Sequence, residues 1–267
     1  MNYLITVLIP TYNNYNSFLN LFKAYISDIR VKIIVSDDSN DISEKNAIKR
    51  KCFEEGIIYL EGPKLLPVEN WNFLMERIDT PFFVMNHHDE YPLNLSFLDL
   101  LDPKEIGLII LPCTSFSKGK SYHKIYSWQQ NLLSRIFFIA PNASFNIFLA
   151  PTASLILNSK FKDILFDKNL KWFVDADWYC RIYLRLRRDE LKIKFCNTTR
   201  IISIQAKNSI TSSIGKKLKD QIKIEKPYLN KKGLIPNKFI STLQLFCLVS
   251  IIFISKIKQY FHCIFSL

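Results

Sequence analysis

The sequence predicts an α/β fold, a mostly parallel sheet flanked by helices, with a basic and apolar C-terminal segment appended. Two patterns carry this expectation. Short continuous runs of β-branched and aliphatic residues alternate with stretches whose apolar residues recur at helical spacing. Several of the strand-like runs also end in clusters of Asn, Asp, Ser or His, the place where open α/β sheets bind their ligands. A hydrophobic content of 48% supplies a full core. Only six glycines in 267 residues disfavour a fold built on glycine-rich loops.

Taken in order, Leu4 to Ile9 is a buried parallel strand, ended by the turn residues Pro10, Thr11, Tyr12, Asn13 and Asn14. Phe18, Leu21, Phe22, Tyr25, Ile26 and Ile29 follow at helical spacing. Val31 to Ser36 is a second strand and runs into Asp37, Asp38, Ser39, Asn40 and Asp41. A helix is expected over 42–55 and a short strand over 57–60. Asn13 and Asn14 read equally well as turn residues, whereas two adjacent aspartates repel and call for donors or a cation. Asn70-Trp71-Asn72 opens another helix, which Thr80-Pro81 breaks. Phe82 to Met85 is the next strand and ends in Asn86-His87-His88-Asp89-Glu90, a candidate metal or diphosphate site. A strand is expected over 106–111, a loop and helix folding over the substrate within 115–148, a strand after Pro151-Thr152-Ala153-Ser154, and a last strand over 200–204.

The stretch Trp172 to Arg181 places Asp175 and Asp177 two residues apart at the start of a helical segment, among apolar and aromatic neighbours. Desolvated carboxylates are either paired or tuned for chemistry. The structural alternative is that Asp175 caps the helix and Asp177 pairs with Arg181 at i,i+4.

In this order the motifs resemble those of family 2 glycosyltransferases of the GT-A fold, a Rossmann-like fold, of the kind that builds bacterial surface polysaccharides. Val7 to Asn13 is similar to the family's opening strand, and Ile34 to Ser39 to its nucleotide-binding aspartate strand. Asn70 to Asn72 resembles the segment before the metal motif, and Asp89 to Tyr91 stands at the DxD motif. Val174 to Arg181 resembles the block holding the catalytic base. The resemblance covers about residues 4 to 205.

It implies an inverting transfer from a nucleotide-sugar donor to a hydroxyl of a lipid-linked or polysaccharide acceptor in O-antigen, capsule or lipooligosaccharide synthesis. Pro10, Thr11, Tyr12, Asp37, Asp38, Asn72 and His88 are expected to bind the nucleotide-sugar. Asp89 and His87 are expected to hold a divalent cation, Mn²⁺ or Mg²⁺. Asp175 is expected to deprotonate the acceptor hydroxyl, with Asp177 orienting the site. The family's metal motif usually begins with aspartate, and here His87 takes that place. That departure leaves open an altered metal preference, a metal-independent role for His87, or an inactive nucleotide-sugar-binding subunit. A nucleotidyltransferase on a similar fold is a further alternative.

The first 210 residues form the transferase domain on this reading, and 211–267 a basic and apolar helical segment. Lysines crowd positions 216 to 238, with Asp220 and Glu225 the only acids, and Phe239 to Ser255 carries no charge. Those 17 residues fall short of the roughly 20 that span a bilayer. The net charge of +12 fits an anionic partner. The expected partner is an anionic membrane surface, met peripherally on the cytoplasmic face of the cell membrane. No recognised nucleic-acid module is visible, so nucleic acid is not expected as a partner. The six cysteines have no metal-site or CxxC spacing and read as reduced thiols.

Overall fold

A computed structural model describes residues 3–117, 120–125, 127–143, 151–204, 218–236, 238–247 and 249–250. The first half alternates as expected: β1 (Ile5–Thr11), α1 (Tyr15–Tyr25), β2 (Val31–Asp37), α2 (Ile42–Glu54), β3 (Ile58–Glu61), α3 (Pro67–Met75) and β4 (Phe82–Met85). Then come β5 (Glu90–Pro92), β6 (Ile106–Ile110), β7 (Cys113–Ser117), β8 (Lys120–Ile125), α4 (Ser127–Ile139), β9 (Leu155–Asn158), α5 (Val174–Arg188), β10 (Lys192–Phe195), β11 (Ile201–Ile204) and α6 (Leu218–Lys231).

Seven strands form the main sheet in the order β10-β6-β9-β4-β1-β2-β3. β1 is parallel to both β2 and β4, and every residue of β1 is buried. That is why it reads as an unbroken apolar run: a parallel strand under helices on both faces has no solvent side. β9 runs antiparallel between β4 and β6, the one reversal in an otherwise parallel array. Alternate residues feed two cores. Leu8, Ile34, Phe83, Met85 and Leu108 join one, and Val7, Ile9, Val35, Val84 and Ile109 the other.

A smaller sheet, β5-β11-β7-β8, caps one end. Its hairpin β7–β8 and the helix α4 occupy the stretch expected to be a loop and helix. α3 begins three residues earlier than expected. Pro67 suits the first turn because its missing N–H has no partner there anyway, and the Glu69 carboxylate accepts from the Leu66 N–H at 2.9 Å.

The expected boundary near residue 210 lies outside the described residues. Beyond it, α6 packs on the main core: Leu229 and Leu234 belong to the same apolar cluster as Leu170 and Trp178. The helical residues 238–247 contact the segment just after α4 through Gln244, whose amide donates to the Ala140 carbonyl and accepts from Asn142. Of the cysteines, Cys52, Cys113, Cys180 and Cys196 are buried free thiols and Cys247 is a half-buried one.

Candidate active site

The carboxyl ends of β1, β2 and β4 and the first turn of α5 carry the residues singled out in the sequence. Pro10 and Thr11 end β1 beside Ser36 and Asp37 of β2, in register. Asp37 is fully buried. One carboxylate oxygen accepts from the Ser39 N–H at 2.9 Å, the other from the Tyr59 hydroxyl at 3.0 Å. Asp38 is partly exposed and accepts from the Lys64 N–H at 2.9 Å. Burial raises its carboxyl above the usual range, the Lys64 N–H opposes this, and the Asp37 charge adds to it. Tyr12 stands 52% exposed at the same edge, an aromatic face open to a planar ligand.

Gly62 closes this edge. A methyl group there would lie 2.2 Å from Asp38 Oδ1, so glycine is what lets Asp38 occupy its position. The reading of Asn13 and Asn14 as turn residues holds. Asn14 caps α1 by accepting from Ser17, and Asn13, at φ 46°, accepts from the N–H groups of Asn40 and Asp41.

At the end of β4, buried Asn86 clamps the following turn. It accepts from the Tyr25 hydroxyl at 2.9 Å and donates to the carbonyls of Glu90 at 2.7 Å and His87 at 3.1 Å. His87 lies edge-on to Trp71, with centroids 4.8 Å apart. Burial pushes its imidazole down to about 4, against the attraction of Asp89, so at neutral pH it is uncharged and has a lone pair for a cation. His88 and Asp89 follow in the turn, half-buried, and the Asp89 carbonyl accepts from the Ile204 N–H of β11. No group of three or more His, Cys, Asp or Glu side chains among the described residues converges as a metal site.

An aromatic chain links this turn to α5. Trp71 meets Phe166 at 5.2 Å, and Phe166 stacks on Trp178 at 4.4 Å. Asn72, expected at the nucleotide-sugar, has both polar atoms engaged on this chain: its amide donates to the Phe166 carbonyl at 2.9 Å and accepts from the Phe166 N–H at 2.8 Å. That makes Asn72 a strut under Phe166, since an amide bonded at both ends has little left to offer a ligand.

The two carboxylates of α5 part company. Asp177 is fully buried and ion-paired twice: Arg181 binds Oδ2, and Lys232 binds Oδ1. The i,i+4 pair is therefore real, and a lysine 55 residues away completes it. Asp175 does not cap the helix; Phe173 occupies that position and makes no side-chain cap bond. Asp175 Oδ1 is instead buried with no hydrogen-bond partner, and desolvation raises the carboxyl to about 6.

Glu90, read in the sequence as part of the candidate metal or diphosphate cluster and not as a partner of Asp175, is the acid's neighbour. It is buried, with Oε2 unpartnered, and is raised well above the usual range by burial and then by the charges of Asp89 and Asp175. The negative charge of Asp175 adds to the burial that disfavours ionisation of Glu90. Thr11 Oγ1, Ser36 Oγ, Asn70 Oδ1, Thr152 Oγ1 and Ser154 Oγ are also buried without a partner. Unsatisfied groups of this kind are rare in a folded chain, and each calls for an explanation such as a catalytic role or a bound water or ion. The signal for Glu90 was present in the acidic end of β4; that for Lys232 was not, because its partners are distant in sequence.

No family model matches the chain, and no curated protein matches it in sequence. Solved structures do match in fold. S. aureus TarS 1–349 in complex with UDP-GlcNAc aligns over 79% of this chain and 61% of its own, at 16% identity and TM-score 0.56. The mannosyltransferase PcManGT from Pyrobaculum calidifontis, in complex with GDP-Man and Mn²⁺, aligns over 80% and 60%, at 12% identity and TM-score 0.54. Glucosyl-3-phosphoglycerate synthase from Mycobacterium tuberculosis, with Mn²⁺ and UDP-glucose, aligns over 88% and 81%, at 13% identity and TM-score 0.54. The chain thus spans less than two thirds of the TarS and PcManGT chains. The seven-stranded α/β architecture is the GT-A fold of these proteins.

Proposed function

We propose that on this GT-A frame the chain is an inverting glycosyltransferase, moving a sugar from a nucleotide-sugar to an acceptor hydroxyl. The observation that carries the reading is the unpartnered, partly buried carboxyl of Asp175 at the start of α5, raised to about 6. Such a group is ionised at neutral pH and retains more basicity than an ordinary aspartate, which suits a general base for a hydroxyl. Its attack on the anomeric carbon is a single displacement and inverts configuration. Asp37, Asp38, Pro10, Thr11 and Tyr12 form the nucleoside edge, with Tyr12 facing the base and Asp38 the ribose; His88 faces the diphosphate.

Asp89 and neutral His87 are the pair that would hold a divalent cation. An imidazole and a carboxylate are donors of the type such an ion takes, and among the described residues no third His, Cys, Asp or Glu joins them. Such an ion supplies charge neutralisation to the leaving diphosphate. The solved structures with Mn²⁺ and nucleotide-sugars support the class of donor and cofactor.

A lipid-linked or oligosaccharide acceptor at the cytoplasmic membrane face fits the C-terminal helical residues. Phe239, Leu243, Phe246 and Val249 are exposed there, and Lys219, Lys223 and Lys226 line the outer side of α6. Among the described residues no helix is long and apolar enough to cross a membrane.

The test is thermal unfolding with UDP, GDP and their sugars, with and without Mn²⁺. A true donor stabilises the fold by mass action. The Mn²⁺-dependent part of that stabilisation is expected to vanish in Asp89→Ala while the unliganded melting temperature holds. Equal Mn²⁺ dependence in the variant contradicts the metal assignment, and no stabilisation by any nucleotide contradicts the reading as a whole.

A further inference from the structure

α6 and the turn that follows it approach α5 with two side chains seven residues apart, Glu225 within the helix and Lys232 one residue past its end. Glu225 is buried, although it sits in a lysine-rich stretch. A buried carboxylate is tolerable only when hydrogen-bonded. Glu225 accepts from three consecutive backbone N–H groups, those of Lys171 at 2.7 Å, Trp172 at 3.1 Å and Phe173 at 2.9 Å, and from the Gln221 amide. Phe173 is the residue before α5, and the helix has no cap of its own. The orphan donors at a helix start need acceptors, and a negative charge there is favoured by the helix dipole. Glu225 provides both at that point from another element.

Lys232 grips the same helix one turn further on, binding Asp177 Oδ1 and, at 2.8 Å, Asp167. Asp175 lies between the two grips, with no hydrogen bond of its own at Oδ1. Its location is therefore set by what holds its neighbours. Leu229 and Leu234 fasten α6 to the core, and the Leu234 carbonyl accepts from the Ala143 N–H at 2.9 Å.

We propose that Glu225 and Lys232 are positioning residues: the C-terminal helix holds the first turn of α5 from both sides and so fixes the carboxylate of Asp175 against the acceptor. This rests on Asp175 as the base. Their hydrogen bonds and ion pairs run to the start of α5 and to Asp167, not to the residues of the proposed nucleoside edge, so they should act on turnover and leave donor affinity alone.

The experiment compares Glu225→Gln, Lys232→Gln and Asp175→Asn, each measured for sugar transfer, donor affinity and amide hydrogen exchange. Lys232→Gln leaves Asp177 with Arg181, and Asp167 with Tyr228 and the Asn169 N–H, so neither carboxylate is abandoned. The expected result is at least a tenfold fall in kcat for both α6 variants, donor affinity within twofold of wild type, and faster exchange confined to residues 171–178. Added to Asp175→Asn, either variant should cause no further loss, because both act through Asp175.

An unchanged kcat in folded variants overturns the proposal. So does an additive loss on top of Asp175→Asn, a global rise in exchange, or failure of both variants to fold, any of which makes α6 a stability element only. If the wild type transfers no sugar, the proposed function fails, while the exchange data still decide whether α6 holds the start of α5.

Discussion

Asp175 and Asp177 are separated by one alanine and by opposite surroundings. Asp177 has two cations on its two oxygens, and Asp175 has a desolvated oxygen with none. The i,i+4 pair with Arg181 could be read from spacing alone, because a helix brings those positions together. The Lys232 partner could not, since nothing in local sequence says which lysine of a basic stretch turns inward. Asn72 shows the same limit: its place in a motif was legible, but its two bonds to Phe166 depend on tertiary packing. The raised carboxyl of Asp175 has a stability consequence. The folded chain binds that proton more tightly than the unfolded chain does, so wild-type stability falls as pH rises from about 4 to about 6. Asp175→Asn removes the effect. The variant should be the more stable one above pH 6, by on the order of 3 kcal/mol, with the gap closing as pH falls toward 4. Parallel unfolding curves of the two proteins across that range contradict the assigned desolvation.

Strands buried on both faces announced themselves as continuous apolar runs, which is why β1, β2, β4 and β6 were legible with ends correct to within two residues. β10, Lys192-Ile193-Lys194-Phe195, is a half-exposed edge strand whose alternating pattern is too short to stand out. The β7–β8 hairpin is polar and draws its order from pairing with β11, which no local pattern encodes. The same edge chemistry governs the loop after β3. Gly62 is needed because its missing side chain makes room for Asp38. Gly62→Ala should displace that carboxylate, since the obstructed atom ends a movable side chain and the fold can adjust around it. Nucleoside diphosphate affinity is expected to fall about tenfold, roughly 1.4 kcal/mol, with the melting temperature little changed. Calorimetric titration showing unaltered affinity would remove Asp38 from the nucleoside site.

Over the whole molecule, the GT-A frame brings three separate strand ends and one helix start to a single edge, and the basic C-terminal segment closes over the back of that helix. The +12 charge pointed to an anionic partner without locating it; among the described residues of the C-terminal segment, Lys232 turns inward to Asp167 and Asp177 while Lys219, Lys223 and Lys226 of α6 are exposed. Ending the chain after Lys238 retains Leu229, Leu234 and both grips on α5. It should give a folded protein that no longer sediments with anionic vesicles, because Phe239 and Phe246, 77% and 69% exposed, are gone. Aggregation or unfolding of the shortened chain would place 239–267 in the core instead. The most direct test of the function is release of nucleoside diphosphate from a panel of UDP- and GDP-sugars in the presence of candidate lipid-linked or oligosaccharide acceptors, by wild type and Asp175→Asn side by side. The expected result is at least one donor that stabilises both proteins, turns over in the wild type, and is slowed by about 10²–10⁴-fold in the variant. Turnover of that donor at the wild-type rate by Asp175→Asn would contradict Asp175 as the base.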